Sequence, residues 1–401
     1  MNTSQRLFCL ILLGLLTAST NAQSKVRFSE HLIWKKYKYN YGICAADLDG
    51  DGDKDLISAD AGEKGSLFWF ENEGGSFKRR HFITKDEPHR LERHRVADIN
   101  RDGHLDVVIV ENFFGDVKWY QNPGKSLRKK LWKRHYITKG GLLGAYDVDT
   151  ADFDGDGHVD VVASSWRLGK KFVWYSNPGN ESGKWKSRTI DKLPEDSRAV
   201  RVGDFNGDGR PDVLGTSAKA RLVLWYENTG KKGKKMWKRH VIDLPLFAQP
   251  VHGEPYDLDK DGDLDVVMAL GGFGTRDNGF VVWYENQGKH DGRIRWKRHT
   301  VNKNLPRGFE VVAGDLDGDG DIDLAGTGFD SGIVAWFENP GKGKKVWPRH
   351  VLKTGWVHAN QILIVDLNGD KRNDIAAVAE LGTLEFRWWR NEGKKAKKKK
   401  K

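Results

Sequence analysis

A nine-residue pattern, D-x-[DN]-x-D-x-x-x-D, occurs seven times along the chain, at 47–55, 98–106, 152–160, 204–212, 257–265, 315–323 and 366–374. Carboxylate and amide oxygens at every second position of a tight loop are the ligands that a hard cation such as calcium prefers. Position 6 is glycine in six copies, which eases the turn, and Lys371 replaces it in the seventh. The pattern therefore predicts up to seven calcium sites, which we call Asp loops 1 to 7.

The predicted metal ligands are the residues at positions 1, 3, 5 and 9, together with position 7, which would bind through its backbone carbonyl. Asparagine at position 3 lowers the charge of loops 2, 4 and 7, so we expect weaker binding there, and the weakest in loop 7. In loop order, the ligands are Asp47, Asp49, Asp51, Asp53 and Asp55; Asp98, Asn100, Asp102, His104 and Asp106; Asp152, Asp154, Asp156, His158 and Asp160; Asp204, Asn206, Asp208, Arg210 and Asp212; Asp257, Asp259, Asp261, Asp263 and Asp265; Asp315, Asp317, Asp319, Asp321 and Asp323; and Asp366, Asn368, Asp370, Arg372 and Asp374.

The residues around each Asp loop predict β-strands. An EF-hand would need a glutamate at position 12 and flanking helices, but position 12 of loop 1 is Ser58, and strand-forming residues follow position 9. About fifteen residues later comes an aromatic strand ending in x-N-x-G, and then a strand of the type W-K-R-H-x-[IV]. Four short strands in a period of 51 to 58 residues are typical of a β-propeller blade.

The seventh aromatic strand lacks a following partner, because the chain ends in lysines. A segment of the missing type, FSEHLI, lies at 28–33, near the other end of the chain. Pairing of the two would close the ring and remove the free edge of an open array. We therefore predict an all-β protein, a seven-bladed β-propeller with four antiparallel strands per blade, in which the N-terminal strand completes blade 7.

With these motifs the chain resembles the FG-GAP or VCBS repeat propellers, which are related to the head of integrin α subunits and to some fungal lectins. The resemblance covers residues 27–393, and the Asp loops carry it; the F-G signature itself is seen only in scraps such as Phe273-Gly274. It implies the propeller fold and calcium binding. The family includes lectins, adhesion heads, sugar lyases and dehydratases, so the resemblance does not choose between these functions.

The chain ends predict export and a basic tail. Residues 1–22 carry one positive charge, Arg6, before an apolar run at 7–16 that is too short to span a membrane, which is typical of a signal peptide. We expect 23–393 to form the propeller in a secreted or periplasmic protein, where Cys44 has no second cysteine to pair with. Residues 394–401 supply seven of the eleven excess positive charges. This tail is either solvated and disordered or attached to an anionic surface, and nucleic acid is not an expected partner.

Function is sought among the residues that do not recur in every blade. In an up-and-down blade, the Asp loops and the x-N-x-G turns share one face, so the blade-to-blade connections lie on the opposite face. The non-recurring residues expected on this second face are Trp34, Tyr37, Tyr39, Tyr41, His89, Arg90, Arg93, His94, Tyr146, Trp166, Arg167, Arg198, His252, Arg307, Trp356 and His358.

A second group of non-recurring residues lies in the first strand of each blade, at the fifth and third positions before the leading Asp. Period-two spacing directs them to one side of the strand, near the central funnel. They are either a structural network of opposite charges or a ligand pocket. The group consists of Arg93, Arg95, Asp147, Asp149, Arg201, His252, Glu254 and Glu310.

Three functions remain open. As a binding module, the protein would hold a glycan or an extracellular protein through Trp34, Tyr37, Tyr39, Trp166, Trp356 and His358. As a lyase or sugar dehydratase acting by β-elimination, it would use Arg93, Arg95 or Arg201 to stabilise enolate-like charge, with His94, His252, Tyr41 or Tyr146 as base and acid. As a scaffold, it would be an adhesion or envelope part. We rank binding first.

Overall fold

The protein folds as a ring of seven four-stranded antiparallel sheets. The computed structural model describes residues 26–62, 64–88, 90–180, 183–193, 196–245, 247–271, 279–341 and 346–394. Residues 1–25, which hold the predicted signal peptide, and 395–401, most of the predicted tail, lie outside this part, as do His89 and Phe273-Gly274. No helix in the described ranges is long and apolar enough to cross a membrane.

Blades 1 to 6 follow one another along the chain, each with its strands in sequence order from the axis outwards. Their strands are β2 (Asn40–Ala46), β3 (Asp55–Asp60), β4 (Lys64–Glu71) and β5 (Arg79–Pro88); β6 (Leu91–Ala97), β7 (Asp106–Glu111), β8 (Asp116–Gln121) and β9 (Lys133–Thr138); β10 (Ala145–Ala151), β11 (Asp160–Ser165), β12 (Lys171–Ser176) and β13 (Lys186–Lys192); β14 (Ser197–Gly203), β15 (Asp212–Ser217), β16 (Leu222–Asn228) and β17 (Trp237–Asp243); β18 (Pro250–Tyr256), β19 (Asp265–Leu270), β20 (Phe280–His290) and β21 (Arg293–Asn302); and β22 (Gly308–Gly314), β23 (Asp323–Gly328), β24 (Ile333–Phe337) and β25 (Arg349–Lys353).

Blade 7 joins the two ends of the described chain. It contains β26 (Ala359–Val365), β27 (Asp374–Ala379) and β28 (Glu385–Lys394), and its outer strand is β1 (Val26–Lys35). Strand β1 pairs antiparallel with β28. This is the predicted closure of the propeller, with the outer strand four residues longer than the segment read from the sequence. Two single 3-10 turns, Gly124–Ser126 and Gly233–Lys235, lie in the turns before the outer strands of blades 2 and 4.

The core lies between adjacent blades. The second strand of a blade packs against both neighbours, so β7 is buried along its whole length and shows no alternation of polar and apolar residues. Val108 and Trp119 of blade 2, for example, share one apolar cluster with Val161 and Ala163 of blade 3. The ring is therefore held by blade-to-blade apolar contact, and each blade buries its neighbour.

The recurring histidines of the outer strands support the third strands. His135 stacks on Trp119 with a ring-centroid distance of 4.1 Å, and His240 stacks on Trp225 at 4.3 Å. The second ring nitrogen of His240 is 2.7 Å from the Glu227 carboxylate. These contacts explain why a histidine recurs at this place, and they agree with the structural role expected of a repeated residue.

We predict that ring closure is needed for stability. Removing residues 26–35 deletes β1 and exposes the β28 edge and the apolar cluster that Val26 and Phe28 help to cover. The variant should melt many degrees lower or aggregate, as measured by calorimetry and light scattering. Removing residues 395–401 is the matched control and should leave melting unchanged. Equal tolerance of the two truncations would contradict the closed ring.

Candidate functional site

Each Asp loop folds around its own carboxylates. In loop 1, the two carboxylate oxygens of Asp47 accept the N–H groups of Gly50 and Gly52, at 2.7 and 3.0 Å. Asp49 accepts the N–H of Asp51 at 3.2 Å. These short-range hydrogen bonds hold several carboxylates in one turn, which costs Coulomb energy unless a cation is bound.

Four loops bring three carboxylates close enough to share one cation. In each of loops 1, 3, 5 and 6, ligand oxygens from positions 1, 3 and 9 lie within 4.8 Å of one another. This all-oxygen donor set fits calcium. The groups are Asp47, Asp49 and Asp55; Asp152, Asp154 and Asp160; Asp257, Asp259 and Asp265; and Asp315, Asp317 and Asp323.

Loops 4 and 7 carry their own positive charge. Arg210, at position 7 of loop 4, donates to the carboxylate of Asp208, and Arg372 does the same to Asp370 in loop 7. These side chains neutralise a predicted ligand, in addition to the asparagine at position 3. We therefore expect loops 4 and 7 to bind calcium more weakly than loops 1, 3, 5 and 6.

The ninth-position aspartate joins each loop to the turn between the third and fourth strands. In blade 1, Asp55 accepts the N–H of Leu48 through one oxygen at 3.0 Å and the N–H of Asn72 through the other at 2.9 Å. The Asn72 side-chain amide then donates to the Leu367 carbonyl of blade 7 at 2.7 Å. Equivalent cross-blade bonds come from Asn122, Asn177, Asn228, Asn286 and Asn391.

Burial makes these ninth-position carboxylates costly to ionise. It raises the pKa of Asp55 to about 7, although the N–H groups of Asn72 and Leu48 oppose the shift. The pKa of Asp374, in loop 7, rises to about 6 for the same reason. A bound cation would stabilise the ionised form, which is why this donor set favours a metal.

We predict that calcium and protons compete for the folded protein. Without calcium, the pKa of the ninth-position carboxyls is higher in the folded protein than in the unfolded chain, where the pKa of an aspartate is about 4. The stability that the protonated carboxyls contribute is therefore lost as pH rises through about 7. Calcium should therefore raise the melting temperature more at pH 8 than at pH 5. Each occupied site adds about 2.7 kcal/mol at a hundredfold excess over its Kd. Calorimetry in calcium and in chelator measures this, and a metal-independent melting temperature would contradict the assignment.

A bulge in every inner strand decides which side chains reach the axis. The pairing register shifts near the start of all seven inner strands, as between Asn40 and Ile43 in β2. A bulge directs two consecutive side chains to the same side. Tyr41 of blade 1 thus contacts Phe309 of blade 6 across the ring. At the following position along the strand, Arg93 of blade 2 meets Glu310 of blade 6. Strict period-two alternation could not show that the sixth position before the leading Asp faces the axis.

The first layer of the axis, on the connection face, is aromatic. Tyr39 stacks on Tyr41 with ring centroids 6.0 Å apart, Tyr41 meets Tyr146 edge-on at 5.7 Å, and Tyr146 contacts Trp166 at 5.6 Å. We call these four residues the aromatic row. Phe309 covers Tyr41 from blade 6 at 6.5 Å. The row runs from blade 1 to blade 3 and closes the axis on this face.

The second layer is a buried network of opposite charges. Arg93 of blade 2 donates two hydrogen bonds to Glu310 of blade 6, at 2.9 and 2.8 Å. Arg201 donates to Asp147 at 2.6 Å and lies 3.4 Å from Glu310. Arg93 and Glu310 link opposite sides of the ring, which is the geometry of the structural network considered above. The assignment of Arg93 and Arg201 to catalysis stays a prediction.

A hydrogen-bond chain connects the first layer with the second. The hydroxyls of Tyr41 and Tyr146 are in contact, the Tyr146 hydroxyl is 3.2 Å from His252 Nε2, and His252 Nδ1 is 3.8 Å from the Asp147 carboxylate. Burial, together with the nearby arginines, holds the pKa of His252 well below its usual range, so the imidazole is neutral at pH 7. Burial raises the pKa of both tyrosines. The imidazole and both hydroxyls of this chain are therefore uncharged at pH 7.

The other predicted catalytic residues lie apart from this chain. His94 Nε2 is 3.4 Å from the Ile57 carbonyl, and burial lowers the pKa of His94 to about 4. Arg95 and Arg201 line a cavity of about 470 Å³ formed by the last residues of the inner strands, beside the Asp loops. The structure thus brings Tyr41, Tyr146 and His252 together and places Arg95 on the other side of the charged network.

Three of the predicted ligand-binding residues have structural contacts. Trp34, expected in a connection, lies instead within β1, where the guanidinium of Arg80 covers its ring at 4.2 Å. That expectation was wrong because the outer strand extends to residue 35. The Tyr37 hydroxyl donates to Ser58 at 3.1 Å, and Trp356 is buried against Trp389.

The remaining three predicted ligand-binding residues lie on the connection face and are partly exposed. Tyr39 and Trp166 form the ends of the aromatic row. His358 stacks on Phe329 at 4.5 Å and lies 3.8 Å from the Asp330 carboxylate. These residues remain candidates for ligand contact.

Glu92 was missed by the sequence reasoning. It occupies the sixth position before the leading Asp, is 3% exposed, and its Oε2 has no hydrogen-bond partner among the described residues. Burial, reinforced by the charge of Glu380, raises the pKa of Glu92 well above its usual range, although Arg90 opposes this. The available signal was a carboxylate directly before Arg93, in a strand start that also carries His94 and Arg95.

The chain belongs to the FG-GAP-like repeat family, which matches residues 47–109, 98–163, 152–215, 204–268, 257–326 and 315–377. Each match runs from one Asp loop through the next. The family assignment drawn from the Asp loops is therefore confirmed.

Two curated proteins are similar to the chain. Aldos-2-ulose dehydratase of Phanerodontia chrysosporium is 26% identical over 287 residues, which is 62% of this chain and 29% of that protein. A T-cell immunomodulatory protein homolog of Plasmodium falciparum is 24% identical over 132 residues, 31% of this chain and 18% of that protein. The chain thus aligns with less than a third of the length of either relative.

Solved structures support the fold. BBS1N in complex with ARL6DN, in crystals soaked with mercury, superimposes with a TM-score of 0.55 at 12% identity, over 92% of this chain and 97% of that one. The crystal soaked with lead gives 0.54 at the same identity and coverage. At this identity, the likeness concerns the architecture alone.

Proposed function

We propose that this protein is an exported, calcium-stabilised propeller that binds an acidic sugar on its connection face. The observation that carries the proposal is that both ends of the aromatic row are covered by exposed arginines. The Arg90 guanidinium lies 4.7 Å from the Tyr39 ring centroid, and Arg167 lies 3.8 Å from that of Trp166. Aromatic rings contact the apolar face of a sugar, and arginine pairs with its carboxylate.

Three further facts support this proposal. The row is built from residues that do not recur in every blade, so the repeat itself does not require them. The dehydratase that the chain resembles is named for acting on a sugar, an aldos-2-ulose. Residues 1–22 have the pattern of a signal peptide, which supports secretion or a periplasmic location.

We predict that the ends of the row contribute most to sugar affinity. Substituting Trp166 or Tyr39 by alanine should weaken binding of acidic oligosaccharides about three- to tenfold, the effect of losing roughly 0.5–1.5 kcal/mol of aromatic contact. Calorimetric titration in calcium measures this. Trp185→Ala is the control, because Trp185 is a half-buried tryptophan near Asn100 and Asp102 on the opposite face. Equal losses in all three variants, or no binding by the wild type, would reject the site.

A second candidate function, sugar dehydration or β-elimination, is favoured by the Tyr41–Tyr146–His252 chain and by the relative's name. A base removes the proton next to the carbonyl, the C–H electron pair forms the double bond, and the C–O bond breaks as an acid protonates the leaving oxygen. His252 would accept the first proton through the Tyr146 hydroxyl, and the Asp147 carboxylate, 3.8 Å from Nδ1, would have to offset the burial and the arginine charges that disfavour the imidazolium. Glu92, with its raised pKa, would donate the second proton.

The second candidate makes a separate prediction. Tyr146→Phe should cut turnover of aldos-2-uloses or uronate oligosaccharides about a hundredfold or more, because it removes the hydroxyl between Tyr41 and His252. Sugar affinity should change little. The measurement is the absorbance of the unsaturated product, with His240→Gln as the control, since His240 contacts Trp225 and Glu227 in an outer strand. If the wild type releases no unsaturated sugar from the panel, the binding function stands without chemistry.

A further inference from the structure

The cavity beside the Asp loops is a ring of seven side chains, one from each blade. Every residue at the third position before a leading Asp lines it, and its volume is about 470 Å³, within the range of small-molecule sites. In blade order, the ring is Cys44, Arg95, Asp149, Arg201, Glu254, Val312 and Leu363. Apart from the two arginines, the seven residues all differ. The blade repeat therefore does not explain which residues form the ring.

The ring has a charged half and an apolar half. Blades 2 to 5 supply Arg95, Asp149, Arg201 and Glu254, so positive and negative charges alternate in consecutive blades. Blades 6, 7 and 1 supply Val312, Leu363 and Cys44, a wall that Ile362 and Ile364 extend, and Glu310 and Gln361 of the layer above also border the cavity. The polar half thus offers both arginines and carboxylates, which are partners for the two opposite charges of a zwitterion.

The charged groups keep hydrogen-bonding capacity that faces the cavity. Arg95 donates to the His94 carbonyl at 3.0 Å and forms only a long ion pair with Asp149, with nitrogen and oxygen 3.6 Å apart, so several of its N–H groups remain available. The two Asp149 oxygens accept the N–H groups of Thr150 and Val202, each at 3.0 Å. Glu254 accepts one N–H, from Ala313 at 2.7 Å, and within the described ranges no second donor reaches its carboxylate. A ligand can therefore donate to Glu254 and accept from Arg95 without breaking the Arg93–Glu310 pair below.

We propose that this cavity, which we call the axial ring site, binds a free α-amino acid with an apolar side chain. Such a zwitterion places its carboxylate on Arg95 and its ammonium on Glu254, while its side chain contacts Val312 and Leu363. A sugar fits less well, because no aromatic residue lines the cavity within the described ranges. The site lies beside the Asp loops and is independent of the sugar proposal.

The test is calorimetric titration of the full chain in calcium with L-leucine, isovalerate and isoamylamine. These probes share an apolar group, and only leucine carries both charges. Leucine should bind, and each single-charge analogue should bind at least tenfold more weakly. The proposal would be overturned if isovalerate or isoamylamine bound as tightly as leucine. It would also be overturned if leucine did not bind at 10 mM, a concentration roughly tenfold above a millimolar Kd.

Two variants localise the binding. Glu254→Gln keeps an acceptor for the Ala313 N–H but removes the negative charge, so it should fold normally and weaken leucine binding about tenfold or more, a loss of about 1.4 kcal/mol. Lys238→Gln changes a charge on an exposed outer strand and should not alter binding. Unchanged affinity in Glu254→Gln, with an unchanged melting temperature, would place any leucine site elsewhere and reject the proposal. Titration with sugars is a separate measurement, so failure of one proposal leaves the other standing.

Discussion

The ninth-position aspartate is the interaction on which this propeller depends. It lies at the end of each Asp loop, buried, and accepts an N–H from the loop and another from the turn asparagine, as Asp55 does from Leu48 and Asn72. The asparagine side chain extends the connection to the preceding blade. One carboxylate thus joins the Asp loop to the turn between the third and fourth strands, and the asparagine of that turn bonds the preceding blade. The same carboxylate belongs to the donor set that fits a cation, so the architecture and the predicted metal binding depend on one residue.

The function proposed here depends on departures from the repeat. Where all blades carry the same residue, as with the outer-strand histidines, the contact supports a strand. Where they differ, as at the sixth, fifth and third positions before the leading Asp, side chains of different blades meet at the axis. Seven inner strands converge there, so each position becomes a layer of seven residues. The layers are chemically distinct: the first contains the aromatic residues Tyr41, Tyr146 and Phe309 together with Glu92, the second contains paired charges, and the third is the axial ring site.

The charged middle layer separates two possible sites. Arg93 and Glu310 span the ring in a fully buried pair, and removing one partner would leave the other charge without compensation. A ligand on the connection face therefore meets the aromatic row, and one entering beside the Asp loops meets the axial ring site. This division would allow ligand contacts on one face to change without altering those on the other.

The sequence by itself determined the blade number, the strand order, the closure by the N-terminal segment and the loops that can hold a metal. These features depend on local patterns, such as Asp spacing and strand alternation, that repeat seven times. The tertiary structure alone decided which side chains meet. Tyr41 reaches Tyr146, and Arg93 reaches Glu310, because each inner strand contains a bulge that breaks period-two alternation. Arg95 and His252, which the sequence grouped together, lie in different layers because ring closure sorts residues by their height along the axis, a distance that spacing along one strand does not reveal.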